Sequence, residues 1–157
     1  MNIKFKKLSQ KAEIPKRETS GAVGLDLATT GDFETGPHGV VYWKTALSVE
    51  PPEGYYLEIH PRSSLHKKGW MLVNSTGIID SDYRGELKIP LIPIDVKNIF
   101  NGTETEIEIV RSFAKIEPGT RIAQLILRKN ELLDVNIEES DTLSETKRGS
   151  GGFGSTG

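Results

Sequence analysis

Sixteen glycines and eight prolines punctuate the 157 residues of this chain. Much of what lies between them is short and rich in β-branched and aromatic side chains, the make-up of strands rather than helices. The segments GVVYWKTALSV (Gly39–Val49), YYLEIH (Tyr55–His60), ELKIPLIPI (Glu86–Ile94), TETEIEIV (Thr103–Val110) and RIAQLIL (Arg121–Leu127) are expected strands. TETEIEIV alternates cleanly, Ile107 and Ile109 on one face and Glu104, Glu106 and Glu108 on the other. SVEPPEGYY and IEPGTR are expected turns, in which proline presets φ and glycine admits a positive φ. Only SSLHKKG suits a short helical turn. Many short strands with regular turn signals predict an all-β sandwich or barrel with very little helix.

The length suits one domain with a sizeable core. No repeat or linker divides it. VKNIFNGTET (96–105) reads as a hairpin excursion around Asn101-Gly102, and from Glu138 onward the chain is polar and glycine-rich without strand periodicity. The expectation is a β-domain over 1–137 and a flexible arm over 138–157. A net charge of −2 predicts no general attraction to nucleic acid or to acidic membranes. Without cysteine there is neither a disulfide frame nor thiolate chemistry, and His38, His60 and His66 show no zinc-site spacing. No apolar run reaches signal-peptide or membrane-spanning length, so an intracellular soluble protein is expected.

Several residues sit awkwardly in a plain β-fold. Asp26, between Leu25 and Leu27, faces away from its apolar neighbours and is either solvated or functional. PRSSLHKKG gathers Arg62, Ser63, Ser64, Lys67 and Lys68 after a strand, which suits anion contacts or a solvated basic turn. In GIIDSDYRGEL, Asp80 and Asp82 flank Ser81, either at a hairpin tip or as a site. Partial desolvation of Asp80 at the end of the apolar run Ile78-Ile79 would raise its basicity towards that of a general base. Gln124 shares a strand face with Ile122 and Ile126 by simple alternation; it must bond core backbone or point at a ligand. The last ten residues, RGSGGFGSTG, are a disordered terminus or an anion-binding nest of bare amides with one cation, Arg148, and one aromatic, Phe153.

Taken in order, GAVGLDL, PRSSL, GIIDSDYRGEL, RIAQLIL and RGSGGFGSTG resemble the five sequence motifs of the trimeric dUTP pyrophosphatases (dUTPases), from Ala22 to Gly157. The resemblance implies a jelly-roll-like (β-clip) fold, a homotrimer with shared active sites, and Mg²⁺-assisted hydrolysis of dUTP to dUMP and pyrophosphate. That reaction limits uracil in DNA and supplies dUMP for dTMP synthesis. It implies a cytoplasmic protein, or a nuclear one if a eukaryote or its virus uses it.

The same resemblance assigns roles. Asp80 would activate the water that attacks the α-phosphorus in line, and Asp26 would hold Mg²⁺ through its water ligands. Ser63 would contact the phosphates near the leaving oxygen, with Ser64 beside it and Arg62 before it as a structural or trimer-interface ion or a further substrate contact, and Gln124 would reach the phosphates or the catalytic water. Asn74 and Gly77 belong to the hairpin that reads uracil, Tyr83 would lie under the deoxyribose, and Lys88 is a further substrate contact. Arg148 would meet the γ-phosphate and Phe153 would stack on uracil. Gly152, Gly154, Ser155 and Thr156 would complete the closing arm, donated by a neighbouring subunit.

Val23, Ser64, and His66 with the lysines after it depart from the usual pattern. VKNIFNGTETEIEIVRS has no assignable counterpart and is a surface hairpin or, over 96–112, a docking site for an unidentified protein. Two rivals remain: a deaminase of dCTP on the same fold, whose catalytic glutamate would fall at Pro90, and a regulatory binding protein on the dUTPase fold.

Overall fold

A computed structural model of the chain describes residues 1–94 and 116–152. The expected strand Thr103–Val110, the hairpin at 96–105, the docking segment 96–112, and the arm residues Phe153, Gly154, Ser155 and Thr156 lie outside the described residues. The strands run β1 (Lys4–Lys7), β2 (Gly24–Ala28), β3 (Phe33–Thr35), β4 (Val41–Lys44), β5 (Leu47–Glu50), β6 (Tyr55–Pro61), β7 (Trp70–Leu72), β8 (Gly77–Ile79), β9 (Lys88–Pro93) and β10 (Arg121–Lys129). Helix among the described residues is confined to short 3-10 turns at Pro37–Gly39, Leu65–Lys68 and Glu131–Asp134. The turn at Leu65–Lys68 is the one expected from SSLHKKG; left-handed Gly69 ends it by donating its N–H to the His66 carbonyl at 3.0 Å.

One sheet has the order β2-β10-β6-β8, a second β3-β4-β9-β7, and β1 pairs with β5 as a ribbon. Their pairings are antiparallel. Leu27, Leu57, Ile59, Ala123 and Leu125 of the first sheet share one core with Val41, Trp43, Trp70, Ile89 and Leu91 of the second, and Leu47 and Val49 of β5 join it. Trp43 is fully buried, with its ring 5.2 Å from Phe33 and edge-on to Trp70 at 5.8 Å. Sheet on sheet about one apolar layer makes an all-β, jelly-roll-like sandwich. The expected turns are present: Gly54 and Gly119 take φ of +77° and +78°.

Three sequence expectations change. The segment Gly39–Val49 is two strands, because Ala46 at φ 51° turns the chain from the second sheet into the ribbon with β1. GIIDSDYRGEL is not a hairpin: β8 pairs with β6 in the first sheet, whereas β9 pairs with β4 and β7 in the second. The stretch between them crosses from sheet to sheet. In β10 a bulge between Arg121 and Ala123 breaks the alternation. Ile122 therefore enters the core fully buried, while Gln124 lies opposite Asp26 and His60.

Candidate active site

The residues singled out in the sequence gather into two groups, one at the end of β6 that leads into Arg62, the other along β8 from Gly77, opposite Ile59, to Asp80 at the far end beside Tyr56. Asp26, Arg62, Ser63 and Gln124 line an open cavity of about 410 Å³ at one end. Asp26 lies mid-strand in β2, its side chain only 12% exposed, so the solvated reading gives way to a paired one. Its Oδ1 lies 3.1 Å from Arg62 Nε and its Oδ2 3.2 Å from Arg121 Nη1, and Arg121 also pairs with Glu18. The Asp26 Oδ2–Arg121 contact falls outside hydrogen-bond geometry, and this buried oxygen has no hydrogen-bond partner among the described residues. Gln124 donates from Nε2 to the Pro61 carbonyl at 3.2 Å and lays its Oε1 against Gly24. It thus bonds backbone and borders the cavity. The Arg62 guanidinium beside Ser63 in this cavity suits a phosphate chain.

The other group follows β7 and β8. Asn74 folds its carboxamide over Gly77, where an added Cβ would stand 3.1 Å from Asn74 Nδ2. Ser75 adopts φ 57°, and the Thr76 N–H donates to the Asn74 carbonyl at 2.5 Å, closing a tight turn. The Tyr83 N–H donates to the Asp80 carbonyl at 3.2 Å, with aspartate at a favoured first turn position. Arg84 Nη1 donates to the carbonyls of Ser81 (2.7 Å) and Tyr83 (2.9 Å), and Tyr83 Oη donates to the Glu86 carbonyl at 3.1 Å. Asp80 and Asp82 border a cavity of about 780 Å³. Asp80 is exposed, so desolvation by its own chain, expected from the apolar run before it, does not occur. No hydrogen bond or ion pair engages its carboxylate among the described residues.

Leu57 pairs with Ile79, which sets Asp80 beside Tyr56, whereas Arg62 lies six residues further along extended chain. That is about 20 Å at ~3.3 Å per residue. One chain therefore does not bring Asp80 to Ser63 and Gln124. Lys88 joins neither group: with Lys44 it holds Glu34 on the second sheet, at 2.6 and 2.7 Å. Hydrogen bonds from Lys44 and then Lys88 pull the Glu34 carboxyl down to about 2. Ser64 forms the entry to the Leu65–Lys68 turn. Arg148 folds on its own tail, donating from Nε to the Gly151 carbonyl at 2.7 Å; residues 131–150 are all exposed, and Gly152 is half-buried.

A further cluster had no recognised sequence signal. Glu58, 13% exposed, accepts from Arg128 Nε (2.9 Å) and the Tyr56 hydroxyl (3.2 Å), with His60 Nε2 at 2.8 Å. The His60 contact first, then Arg128, lowers its carboxyl from 4.5 to about 2. The alternation of YYLEIH placed these side chains on one face, but the partner Arg128 comes from β10.

The fold and the two groups define an all-β protein with an anion-ready cavity at one strand end and, at the other, a carboxylate unpaired among the described residues. The dUTPase family profile matches residues 10–157. A deoxyuridine 5'-triphosphate nucleotidohydrolase of Hydrogenobaculum sp. is 42% identical over 159 residues, covering 100% of this chain and 99% of the relative. One of that name from Arabidopsis thaliana is 40% identical, covering 99% of this chain and 82% of the relative. A mutant dUTPase of Staphylococcus bacteriophage 80alpha, solved with dUpNHpp, superposes with a TM-score of 0.76 at 26% identity, over 99% of this chain and 98% of that one. The chain belongs to the dUTPase family.

Proposed function

We propose that this chain hydrolyses dUTP to dUMP and pyrophosphate, in sites that join the Asp80 end of one subunit to the Arg62 end of another. The observation that carries the shared site is the separation of about 20 Å along β6 between the two groups. Each is half of what the reaction needs, and a closed symmetric assembly supplies the other half from a neighbour. Family membership makes a homotrimer the fitting assembly, with the arm from Arg148 to Thr156 closing the site.

Along β8 and the loop after it, Asn74 and Gly77 read the uracil edge, Tyr83 lies under the deoxyribose, and Asp80 faces the α-phosphorus. Cytosine would present the wrong donor and acceptor to the Asn74 turn, leaving buried groups unpaired. Asp80, without a partner among the described residues, orients a water and accepts its proton as that water attacks in line. Desolvation of its carboxylate, absent in the single chain, comes from the facing subunit. At the other end Ser63 and Arg62 take the phosphates, and Gln124 reaches the phosphates or the attacking water. Positioning and charge neutralisation then do most of the work.

The Asp26 cluster fits Mg²⁺ in one particular way. Its Oδ2 has spare acceptor capacity, but both oxygens face guanidiniums, and no group of three His, Asp or Glu side chains gathers elsewhere among the described residues. One carboxylate that accepts from metal-bound water, with substrate oxygens as the inner ligands, is normal for Mg²⁺. Bound there, the ion supplies charge neutralisation along the triphosphate.

Among the described residues no helix is long and apolar enough to cross a membrane. Pyrophosphate release measured across dUTP, UTP, dCTP and dTTP, with and without Mg²⁺, tests the reading. It expects Mg²⁺-dependent release from dUTP far above the other three, and comparable release from UTP or dCTP would defeat it.

A further inference from the structure

Gly85 has no backbone reason to be glycine: its φ lies outside the left-handed range. What occupies the space above it is the Tyr83 ring. A Cβ on residue 85 would stand 2.5 Å from Tyr83 Cζ and 2.9 Å from Cε2, and closer still to Oη. Real side chains do not make such contacts, so a methyl group there must displace the ring. Tyr83 is 43% exposed and stands outside the core cluster of the described residues. It rests on the Gly85 backbone, tethered by its bond to the Glu86 carbonyl.

The floor itself is fixed. Ser48 Oγ donates to the Arg84 carbonyl at 2.7 Å, the Leu87 N–H to the Leu47 carbonyl at 2.8 Å, and Thr45 Oγ1 to the Leu87 carbonyl at 2.7 Å. Glu86 Oε1 accepts the Ala46 N–H at 2.8 Å. Four bonds thus tie residues 84–87 to β5 and to the bend before it. Gly24 under Gln124 and Gly77 under Asn74 look similar, but there the one nearest atom is the end of a flexible amide, which can turn aside, and the other atoms stand at 3.2 Å or more. A tyrosine ring gives way only by swinging as a whole.

We propose that Gly85 is a specificity-determining position: its bare backbone sets the depth of the Tyr83 ring, and thereby the discrimination against a 2′-hydroxyl. The inference rests on Tyr83 lying under the sugar. Because the ring is exposed and free to swing, the substitution Gly85→Ala moves it without disturbing the core.

The test compares kcat/KM for dUTP and UTP, and thermal unfolding, in the full-length protein and in Gly85→Ala, Tyr83→Ala, the double variant and Tyr83→Phe. Gly85→Ala should unfold at the wild-type temperature and lower the dUTP/UTP ratio by about tenfold or more. In the Tyr83→Ala background it should add nothing, because the ring through which it acts is gone. Tyr83→Phe, which keeps the ring on its floor, should retain most of the discrimination. If Tyr83→Ala lowers the ratio and Gly85→Ala does not, or the two losses add, the positioning role is wrong while the sugar gate stands. If Tyr83→Phe loses as much as Tyr83→Ala, the hydroxyl and not the floor holds the ring. An unchanged ratio in Tyr83→Ala removes the gate and this inference together.

Discussion

At the Arg62 end of β6 the charges are paired before any ligand arrives; at the Asp80 end the carboxylates have no partner among the described residues. Asp26 holds Arg62, just past β6, and Arg121 of β10 in a half-buried cluster, so a phosphate chain meets a cation already aimed. Asp80 stands on an exposed loop shaped by one backbone bond and by the Arg84 and Tyr83 side chains donating to its carbonyls. The difference follows from what each end must do. Holding a polyanion calls for cations fixed against their own repulsion. Activating water calls for a carboxylate whose lone pairs are still free. Removing charge should therefore harm the two ends in different ways.

Asp80→Asn should reduce turnover by a factor of about 10² to 10⁴ while dUTP still binds and the unfolding temperature stays put. Near-normal turnover would remove Asp80 as the base. Truncation after Lys147 takes away Arg148 and the closing arm and belongs to neither end. It should lower turnover by about 10² and leave a folded assembly, and a fully active truncation would show that the arm closes nothing. Asp26→Asn should differ in kind, costing stability as well as activity. It leaves Arg62 without its anion and Arg121 with Glu18 alone, for a loss of about 1–3 kcal/mol in denaturant unfolding, and it weakens the response to Mg²⁺. Equal stability of the Asp26→Asn and Asp80→Asn variants would erase the contrast between the ends.

The smallest effect concerns the strand between them. Glu58 has its carboxyl lowered from 4.5 to about 2. Its contribution to stability is complete above the unfolded value near 4.5 and is lost as the pH falls through the folded value near 2. Glu58→Gln should flatten the acid limb of stability between those values, and parallel acid limbs in the two proteins would discount the cluster.

The sequence carried the strands well where proline and glycine bounded them, because those residues act locally. It misjudged faces and partners wherever distant pairing decided them. Gln124 was expected to share a face with Ile122, but the bulge in β10 sends Ile122 inward; a bulge answers to register with β2, which no single segment encodes. Asp26 stayed open between solvated and functional, because Arg62 and Arg121 reach it only once β6 and β10 are folded beside β2. The Asp80 turn read equally as a hairpin, since nothing local says that β8 and β9 join different sheets. Lys88 was expected at the substrate, and its partner Glu34 comes from β3. Motif order was legible throughout; the division of those motifs between two ends of a strand was not.

That division is most directly tested by complementation between inactive variants. Asp80→Asn and Gln124→Ala chains, each inactive alone, would be unfolded together and refolded as mixed assemblies, and pyrophosphate release from dUTP measured. If each site takes Asp80 from one subunit and Gln124 from another, about a quarter of sites regain both residues and activity returns. Mixtures as inactive as either variant alone would mean that both residues serve from the same chain, against the separation along β6.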